Sequence, residues 1–257
     1  MTKPEGERGA RGFFVPWALF RISGFGFRHC TTMPDLDFKI LGVEAANYGI
    51  VPLLHFKLEI TNQPPEQTVQ SVMLQAQIQI HPTLRPYEPE EKEKLGELFG
   101  TPDRWGQTLR ARLWTHAGVN VRSFAERTEE KLSVPCTFDL NVAATKYFYA
   151  LGGGEVPLLF LFSGTIFYQG EEERLQIQQV SWNKECSYRM PITVWQGMMD
   201  QHYPNTAWLS LERDLFERLY AFRRREGLAD WDQTVARLLA ENDEARIPKP
   251  ELMTKPE

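Results

Sequence analysis

The five histidines, His29, His55, His81, His116 and His202, are the first candidates for metal binding or proton transfer. Two histidines on one regular element share a face when they lie two apart on a strand or four apart on a helix. None of the five forms such a pair. The spacing therefore predicts no metal centre.

One combination of these residues could form a small-ligand site. His81 closes a predicted strand and His116 lies within another. If the fold brought both rings close to Arg85 or Asp103, they would form a polar site for a small ligand or for acid–base chemistry. The alternative is that each histidine has only a structural role. The second functional hypothesis is accordingly an enzyme or a small-ligand-binding sandwich with its site near His81 and His116.

The other common catalytic motifs are missing from the sequence. It contains neither a Gly-x-Ser-x-Gly elbow nor a Walker loop. The glycines at 152–154 precede a predicted strand instead of a helix, so they predict a turn and no phosphate cradle. Cys136 follows a proline at a predicted strand start, where no helix dipole or cation would lower its pKa, which favours a buried thiol. We predict no catalytic residue and no cofactor.

A protein-binding surface has better support. Residues 72–80 alternate strictly, with Val72, Leu74, Ala76, Ile78 and Ile80 predicted to face inward. A row without charge faces outward, and three explanations fit it: a partner protein, the chain's own C-terminal helices, or plain solvent. The outward residues are Met73, Gln75, Gln77 and Gln79.

Aromatic residues crowd the stretch between the last predicted strands and the C-terminal helices: Trp182, Tyr188, Trp195, Tyr203 and Trp208. Such density is typical of a recognition surface, and also of a seam where helices pack on a sheet. We include Trp182, Trp195 and Trp208 in the hypothetical partner-binding set.

Composition sets limits on the class of protein. The chain has 257 residues, a net charge of −5, 42% hydrophobic and 25% charged residues. This acidic balance argues against nucleic-acid binding, and no run approaches the ~18 apolar residues of a membrane span. The three cysteines are widely spaced, which favours a reducing compartment. We therefore predict a soluble cytoplasmic protein.

Apolar periodicity predicts a mostly β fold with C-terminal α structure: a two-sheet, jelly-roll-like sandwich with short insert helices. An acidic helix capped by Gly100 is predicted at 89–99, and a second short helix starts at Thr101. Strands are predicted at 36–44, 53–60, 72–80, 109–121, 132–150, 156–168, 175–182 and 188–194.

Two amphipathic helices are predicted to end the fold and to pack on the sandwich or on each other. Their apolar stripes are Leu211, Leu215, Leu219 and Phe222, then Trp231, Val235, Leu238 and Leu239.

Domain boundaries follow from the same patterns. Regular patterning starts after Met33, which predicts that residues 1–32 are disordered or a non-native extension. Residues 33–242 are predicted as one domain and 243–257 as a disordered tail. The sequences VPLL at 51–54 and 156–159, each followed by a Leu-Gln-x-Gln segment, leave an internal duplication open.

Four segments carry a family resemblance: 95–105, 135–148, 161–168 and 203–208. They resemble an uncharacterised bacterial domain family, over about residues 33–239. The resemblance implies no catalytic role. It implies genes that accompany high-affinity nickel–iron hydrogenase clusters, and hence an accessory or assembly function.

The leading hypothesis from these observations is a non-catalytic accessory factor that binds another protein, with a hydrogenase-related partner as one option. A homo-oligomer is also compatible with the sequence.

Overall fold

The computed structural model describes residues 33–46, 49–139, 141–170 and 174–246. The predictions for residues 1–32 and 247–257 lie outside this part of the chain. The last described helix continues to Arg246, four residues past the predicted end of the folded domain.

In the part of the chain that the structure describes, eight strands form two antiparallel sheets, which confirms the predicted mostly β sandwich. Sheet A has the order β1-β2-β5. In sheet B, β3 lies between β4 and β6, and β7 and β8 both pair with the other side of β6. The strands are β1 (Asp35–Ala45), β2 (Leu53–Gln63), β3 (Val69–Ile80), β4 (Arg112–Val121), β5 (Arg127–Pro135), β6 (Glu155–Gln169), β7 (Leu175–Gln179) and β8 (Glu185–Pro191).

The connections between the sheets are jelly-roll-like. The chain crosses from sheet A to sheet B between β2 and β3 and returns between β4 and β5, while β3 pairs with β4 and β2 with β5. The repeated segments do not occupy equivalent positions in this topology. Those of the second half lie in β6 and β7, which pair, whereas those of the first half lie at the start of β2 and in the middle of β3, which belong to different sheets.

The core lies between the sheets, because one face of every long strand is apolar. Leu54, Phe56, Leu58 and Ile60 alternate inward along β2 and are fully buried. Aromatic contacts join the sheets, as where the rings of Phe56 and Phe160 meet edge to face at 5.2 Å. The alternation predicted for 72–80 is confirmed, since its five inward residues are buried.

Six helices complete the described part of the chain. They are α1 (Pro89–Phe99), α2 (Trp105–Thr108), α3 (Val142–Ala150), α4 (Ile192–His202), α5 (Arg213–Glu226) and α6 (Trp231–Arg246), with short 3-10 turns at Pro82–Leu84 and Pro102–Arg104. The acidic helix α1 and its cap at Gly100 are confirmed.

Two strand predictions were partly wrong. The stretch 132–150 is the end of β5 followed by helix α3, because Asn141 caps the helix and Ala144, Tyr147 and Phe148 then face the core at helical spacing. The predicted strand 188–194 ends at Pro191, where α4 begins.

The C-terminal helices α5 and α6 form a hairpin across Gly227, whose φ of +67° provides the left-handed cap. They pack chiefly on each other, with the rings of Phe216 and Trp231 at 5.3 Å. Large parts of both predicted stripes are solvent-exposed, Leu215 and Leu239 among them. No helix in the described ranges has the length and apolarity needed to cross a membrane.

Candidate functional site

The outer face of sheet B carries the predicted row of glutamines. Met73, Gln75, Gln77 and Gln79 all project from β3 on the side away from the core, and Met73 is 58% exposed. The amide of Gln75 lies over Gly118 of β4, where a Cβ would meet it at 2.7 Å. The helices α5 and α6 leave this face open, so within the described ranges no other element of the chain covers the glutamine row.

Strand register extends this row into a broad surface. Gln77 lies between His116 on β4 and Leu161 on β6, and Met73 lies between Asn120 and Thr165. Charged side chains enter at the edge strand β8. We call the following set the uncharged face: Met73, Gln75, Gln77, Gln79, His116, Asn120, Leu159, Leu161, Ser163, Thr165, Phe167, Leu175, Ile177 and Gln179.

The apolar members of the uncharged face on β6 and β7 were missed in the sequence. Ile177 is 64% exposed and lies opposite Phe167, which pairs in turn with Ser71. The sequence did carry a sign of these residues, because 156–162 is apolar on both faces of the strand. Only the pairing of β6 with β3 and β7 shows that these residues continue the glutamine row.

The outer face of sheet A has the opposite character. Its residues form ion pairs across the strands, with Lys57 Nζ 2.8 Å from Glu129 Oε2 and Lys131 Nζ 2.7 Å from Glu44 Oε1. These side chains are largely exposed. Exposed pairs of this kind contribute little stability but keep a surface hydrated. One sandwich thus has a charged outer face on sheet A and, on sheet B, an outer face that is uncharged along β3, β6 and β7 and charged at β8.

The three tryptophans of the hypothetical binding set lie in different environments. Trp182 is 95% exposed, in the connection between β7 and β8. Trp195 is only 1% exposed and packs against Phe148 and Tyr149, so its assignment to a binding surface was wrong. It lies on the buried side of the unpredicted helix α4.

Trp208 borders an aromatic groove on another side of the molecule. Its ring is nearly parallel to that of Phe138, with centroids 6.5 Å apart, and Phe138 stacks on Tyr149 at 6.0 Å. The groove has a volume of about 490 Å³. Lys94 and the ion pair of Lys146 with Glu97 lie at its rim. Trp208 therefore does not belong to the uncharged face.

The structure does not bring the alternative small-ligand residues together. His116 lies across from Gln77, whereas His81 follows Ile80, which pairs with Arg112. Four residues along a strand separate the two positions by about 13 Å. Asp103 is exposed in the short turn before α2.

Arg85 is engaged within the fold. Its Nη2 donates to both carboxylate oxygens of Glu91 and to the carbonyl of Gly153. These contacts give Arg85 a structural role, and the four residues of the alternative site form no common pocket.

No group of three or more His, Cys, Asp or Glu side chains within the described ranges is placed to hold a metal ion. Burial raises the pKa of the Cys136 thiol to about 12, because the thiolate would lose its hydration. Cys30 and His29 lie outside the described residues.

The chain belongs to the family of unknown function DUF6084, whose model matches residues 33–247. No curated protein matches it.

Two solved structures show weak similarity. One is a β-glucosidase from Kluyveromyces marxianus, and the other is β-glucosidase 3B from Thermotoga neapolitana in complex with α-D-glucose. Each is 8% identical and aligns over 61% of this chain, with TM-scores of 0.22 and 0.20. The chain spans only 15% and 17% of those enzymes, and similarity at this level supports no functional argument.

Proposed function

We propose that this protein is a non-catalytic accessory factor that binds another protein through the uncharged face of sheet B. The observation that carries the proposal is the contrast between the two outer faces. Sheet A has the cross-strand ion pairs of a hydrated surface, whereas the long strands β3 and β6 present amides, hydroxyls and apolar groups.

The energetics of covering the two faces differ. Removing a charged side chain from water costs far more than removing an amide that finds a new hydrogen-bond partner. Burial of Met73, Leu161 and Ile177 would in addition remove apolar surface from water, which favours association. Depletion of charge at the centre of a surface patch is also what distinguishes interface cores from ordinary surface.

The class of partner we propose is a redox enzyme complex, with a nickel–iron hydrogenase as the specific candidate. The sequence resemblance described above supports this choice. A cytoplasmic location is proposed with it, on the basis of the small number and wide spacing of the cysteines. Membership of a family of unknown function adds no information about the partner.

The test is a charge-neutral double substitution, Gln75→Lys with Gln77→Glu, in the native host. We expect an unchanged melting temperature, because the face is exposed, and loss of the co-purified protein identified by mass spectrometry. The matched control is Lys57→Gln with Glu129→Gln, which removes an exposed ion pair from sheet A and also leaves the net charge unchanged.

The control should retain the same co-purified protein. Retention of that protein by the Gln75/Gln77 variant would contradict the proposal. So would equal loss in both variants, since the binding would then not depend on the uncharged face.

A further inference from the structure

We infer that the aromatic groove beside Trp208 is a binding site for a small, planar aromatic molecule that carries one negative charge. The groove is lined by side chains of α1, of α3 and of the segment 206–210 that follows α4. Its lining shares no residue with the uncharged face of sheet B. The inference is therefore independent of the proposed function and adds a second site to the protein.

Helix α3 supplies one wall of the groove. The groove-lining residues of this helix recur at helical spacing and are Val142, Thr145, Lys146, Tyr149 and Ala150. Tyr147 and Phe148, on the other side of the helix, are buried in the core. The ion pair of Lys146 with Glu97 joins α3 to α1. This wall is therefore held in place by packed helices and does not need a ligand to form.

The second wall comes from the segment after α4. Asn205 has a φ of +53°, and this left-handed residue turns the chain just past Tyr203. The N–H of Thr206 donates to the carbonyl of Tyr203 at 3.3 Å across the same turn. The ring of Tyr203 packs on Phe138 at 4.7 Å. The turn thereby brings Trp208 back to the ring of Phe138.

Three rings of the groove lie in nearly parallel planes. The plane of Phe138 is inclined by 5° to that of Trp208 and by 11° to that of Tyr149. Phe138 is only 7% exposed and forms the floor, whereas Tyr149 and Trp208 are 38% and 43% exposed. The centroids are 6.0 and 6.5 Å from Phe138, well beyond the roughly 3.5 Å of direct face-to-face contact, so Phe138 covers little of either exposed ring. Parallel, partly free ring faces favour a flat ligand that stacks on them.

The rim of the groove adds one uncompensated positive charge. Lys146 and Glu97 neutralise each other. Lys94, which precedes Glu97 by one turn of α1, lines the same groove and has no ion pair within the described residues. Asp200 on α4 lines a separate hollow and not this groove. A ligand carboxylate beside Lys94 would stay partly hydrated, so that the pairing favours an anion without a large desolvation cost.

The size of the groove fits a small molecule better than a protein surface. Its volume of about 490 Å³ lies within the roughly 300–1,000 Å³ of small-molecule sites, which combine apolar walls with a few polar groups. Stable protein contacts instead need a wide patch of about 800 Å² on each partner. A fused two-ring or three-ring acid is the class of ligand that matches this volume, the stacked rings and the rim charge.

Titration calorimetry with 2-naphthoate on the full chain tests the inference. We expect saturable binding with a dissociation constant below about 1 mM. Two probes keep the naphthalene ring and change only the substituent. Neutral 2-naphthamide should bind about two- to fivefold more weakly, because it cannot pair with Lys94, and cationic 2-naphthylmethylammonium should bind most weakly of the three. Decahydro-2-naphthoate keeps the charge but loses the flat ring, and should bind about threefold or more weakly than 2-naphthoate.

Two variants assign the binding to named side chains. Trp208→Ala should weaken 2-naphthoate binding about tenfold, because it removes one stacking partner. Lys94→Gln should lower the affinity for 2-naphthoate to that for 2-naphthamide and leave 2-naphthamide binding unchanged. The matched controls are Trp182→Ala, at an exposed tryptophan outside the groove, and Lys39→Gln, at an exposed lysine of β1. Neither control should change the affinity, and circular dichroism establishes that every variant is folded.

Absence of saturable 2-naphthoate binding at millimolar concentration would overturn the inference. So would equal affinities for 2-naphthoate and 2-naphthamide, or a Trp208→Ala variant that binds 2-naphthoate as well as the wild type does. A Trp208→Ala variant that loses the co-purified protein of the proposed function would assign the groove to that protein and overturn the small-ligand site. Expected 2-naphthoate binding, in a protein whose Gln75→Lys/Gln77→Glu variant keeps its partner, would overturn only the accessory proposal.

Discussion

Arg85 and Glu91 form an ion pair that is almost completely shielded from solvent. Nη2 of Arg85 lies 2.9 Å from Oε1 and 3.1 Å from Oε2 of Glu91, and less than a tenth of either side chain is exposed. Glu91 Oε1 also accepts the backbone N–H of Gly152 at 2.9 Å. The pair thereby links the first turn of α1 to the glycine loop that precedes β6.

Removing one partner of this pair should be severely destabilising. Arg85→Ala leaves the Glu91 carboxylate buried beside groups that no longer neutralise it, and such losses typically cost about 3–5 kcal/mol. Urea denaturation monitored by tryptophan fluorescence measures the change. Arg85→Met with Glu91→Leu removes both charges and should lose less than Arg85→Ala alone.

The exposed pair of Lys57 and Glu129 serves as the control. Lys57→Ala should lower the free energy of unfolding far less than Arg85→Ala does, because solvent screens an exposed ion pair. Equal losses for Arg85→Ala and Lys57→Ala would show that the Arg85 pair is not shielded in solution.

Leu215 in α5 should tolerate truncation. Its side chain is 47% exposed, whereas Leu58 in the core is fully buried. Leu58→Ala should cost about 2–5 kcal/mol, and Leu215→Ala less than about 1 kcal/mol, because little apolar surface is re-exposed. Both values come from the same denaturation experiment, and similar losses would mean that α5 packs against another surface in solution.

Leu58 and Leu215 show which features of the fold an apolar sequence pattern can predict and which it cannot. Alternation along β2 and β3 correctly identified the core face, because a strand in a sandwich has one buried side. The stripes on α5 and α6 were also correctly identified as apolar. Amphipathicity shows that a helix face favours burial but does not identify the surface that covers it, so the packing of the hairpin could not be predicted.

Helix α3 was missed for a different reason. Residues 142–150 are mostly apolar or aromatic, and a short run of this kind has no period that separates a strand from a helix. The partial surface of Met73, Gln75, Gln77 and Gln79 was predicted, but its extension to Leu161 and Ile177 depends on long-range register. Register is set by the packed sheet and not by any single segment.

Cys136 should be unreactive in the folded protein. Its pKa of about 12 leaves about one thiolate in ten thousand at pH 8, and only the thiolate reacts with iodoacetamide. Because burial raises this pKa, the neutral thiol stabilises the fold below the unfolded pKa of the thiol, and that contribution is lost as the pH rises toward 12. Mass spectrometry of digests should find Cys136 unlabelled at pH 8 in buffer and labelled in guanidinium. Rapid labelling of the folded chain at pH 8 would contradict the buried position.

Asn141 should contribute strongly to the free energy of unfolding, although its side chain is small. Its Oδ1 accepts the N–H of Ala144 at 3.0 Å and so caps α3, while its Nδ2 donates to the carbonyls of Leu113 and Trp114 in β4 at 3.1 and 2.9 Å. Asn141→Ala removes the cap and both donated bonds, and loss of the cap alone typically costs about 0.5–2 kcal/mol.

Asn141→Asp separates the two roles, because a carboxylate can still cap the helix but cannot donate to the carbonyls. We expect Asn141→Asp to be at least as destabilising as Asn141→Ala near pH 7, since its negative charge faces two carbonyl oxygens, and to become less so as the pH falls and the carboxyl group protonates. Thermal unfolding of both variants between pH 4 and pH 7 measures this. An Asn141→Asp variant as stable as the wild type at pH 7 would show that the bonds to β4 contribute nothing and that Asn141 acts only as a helix cap.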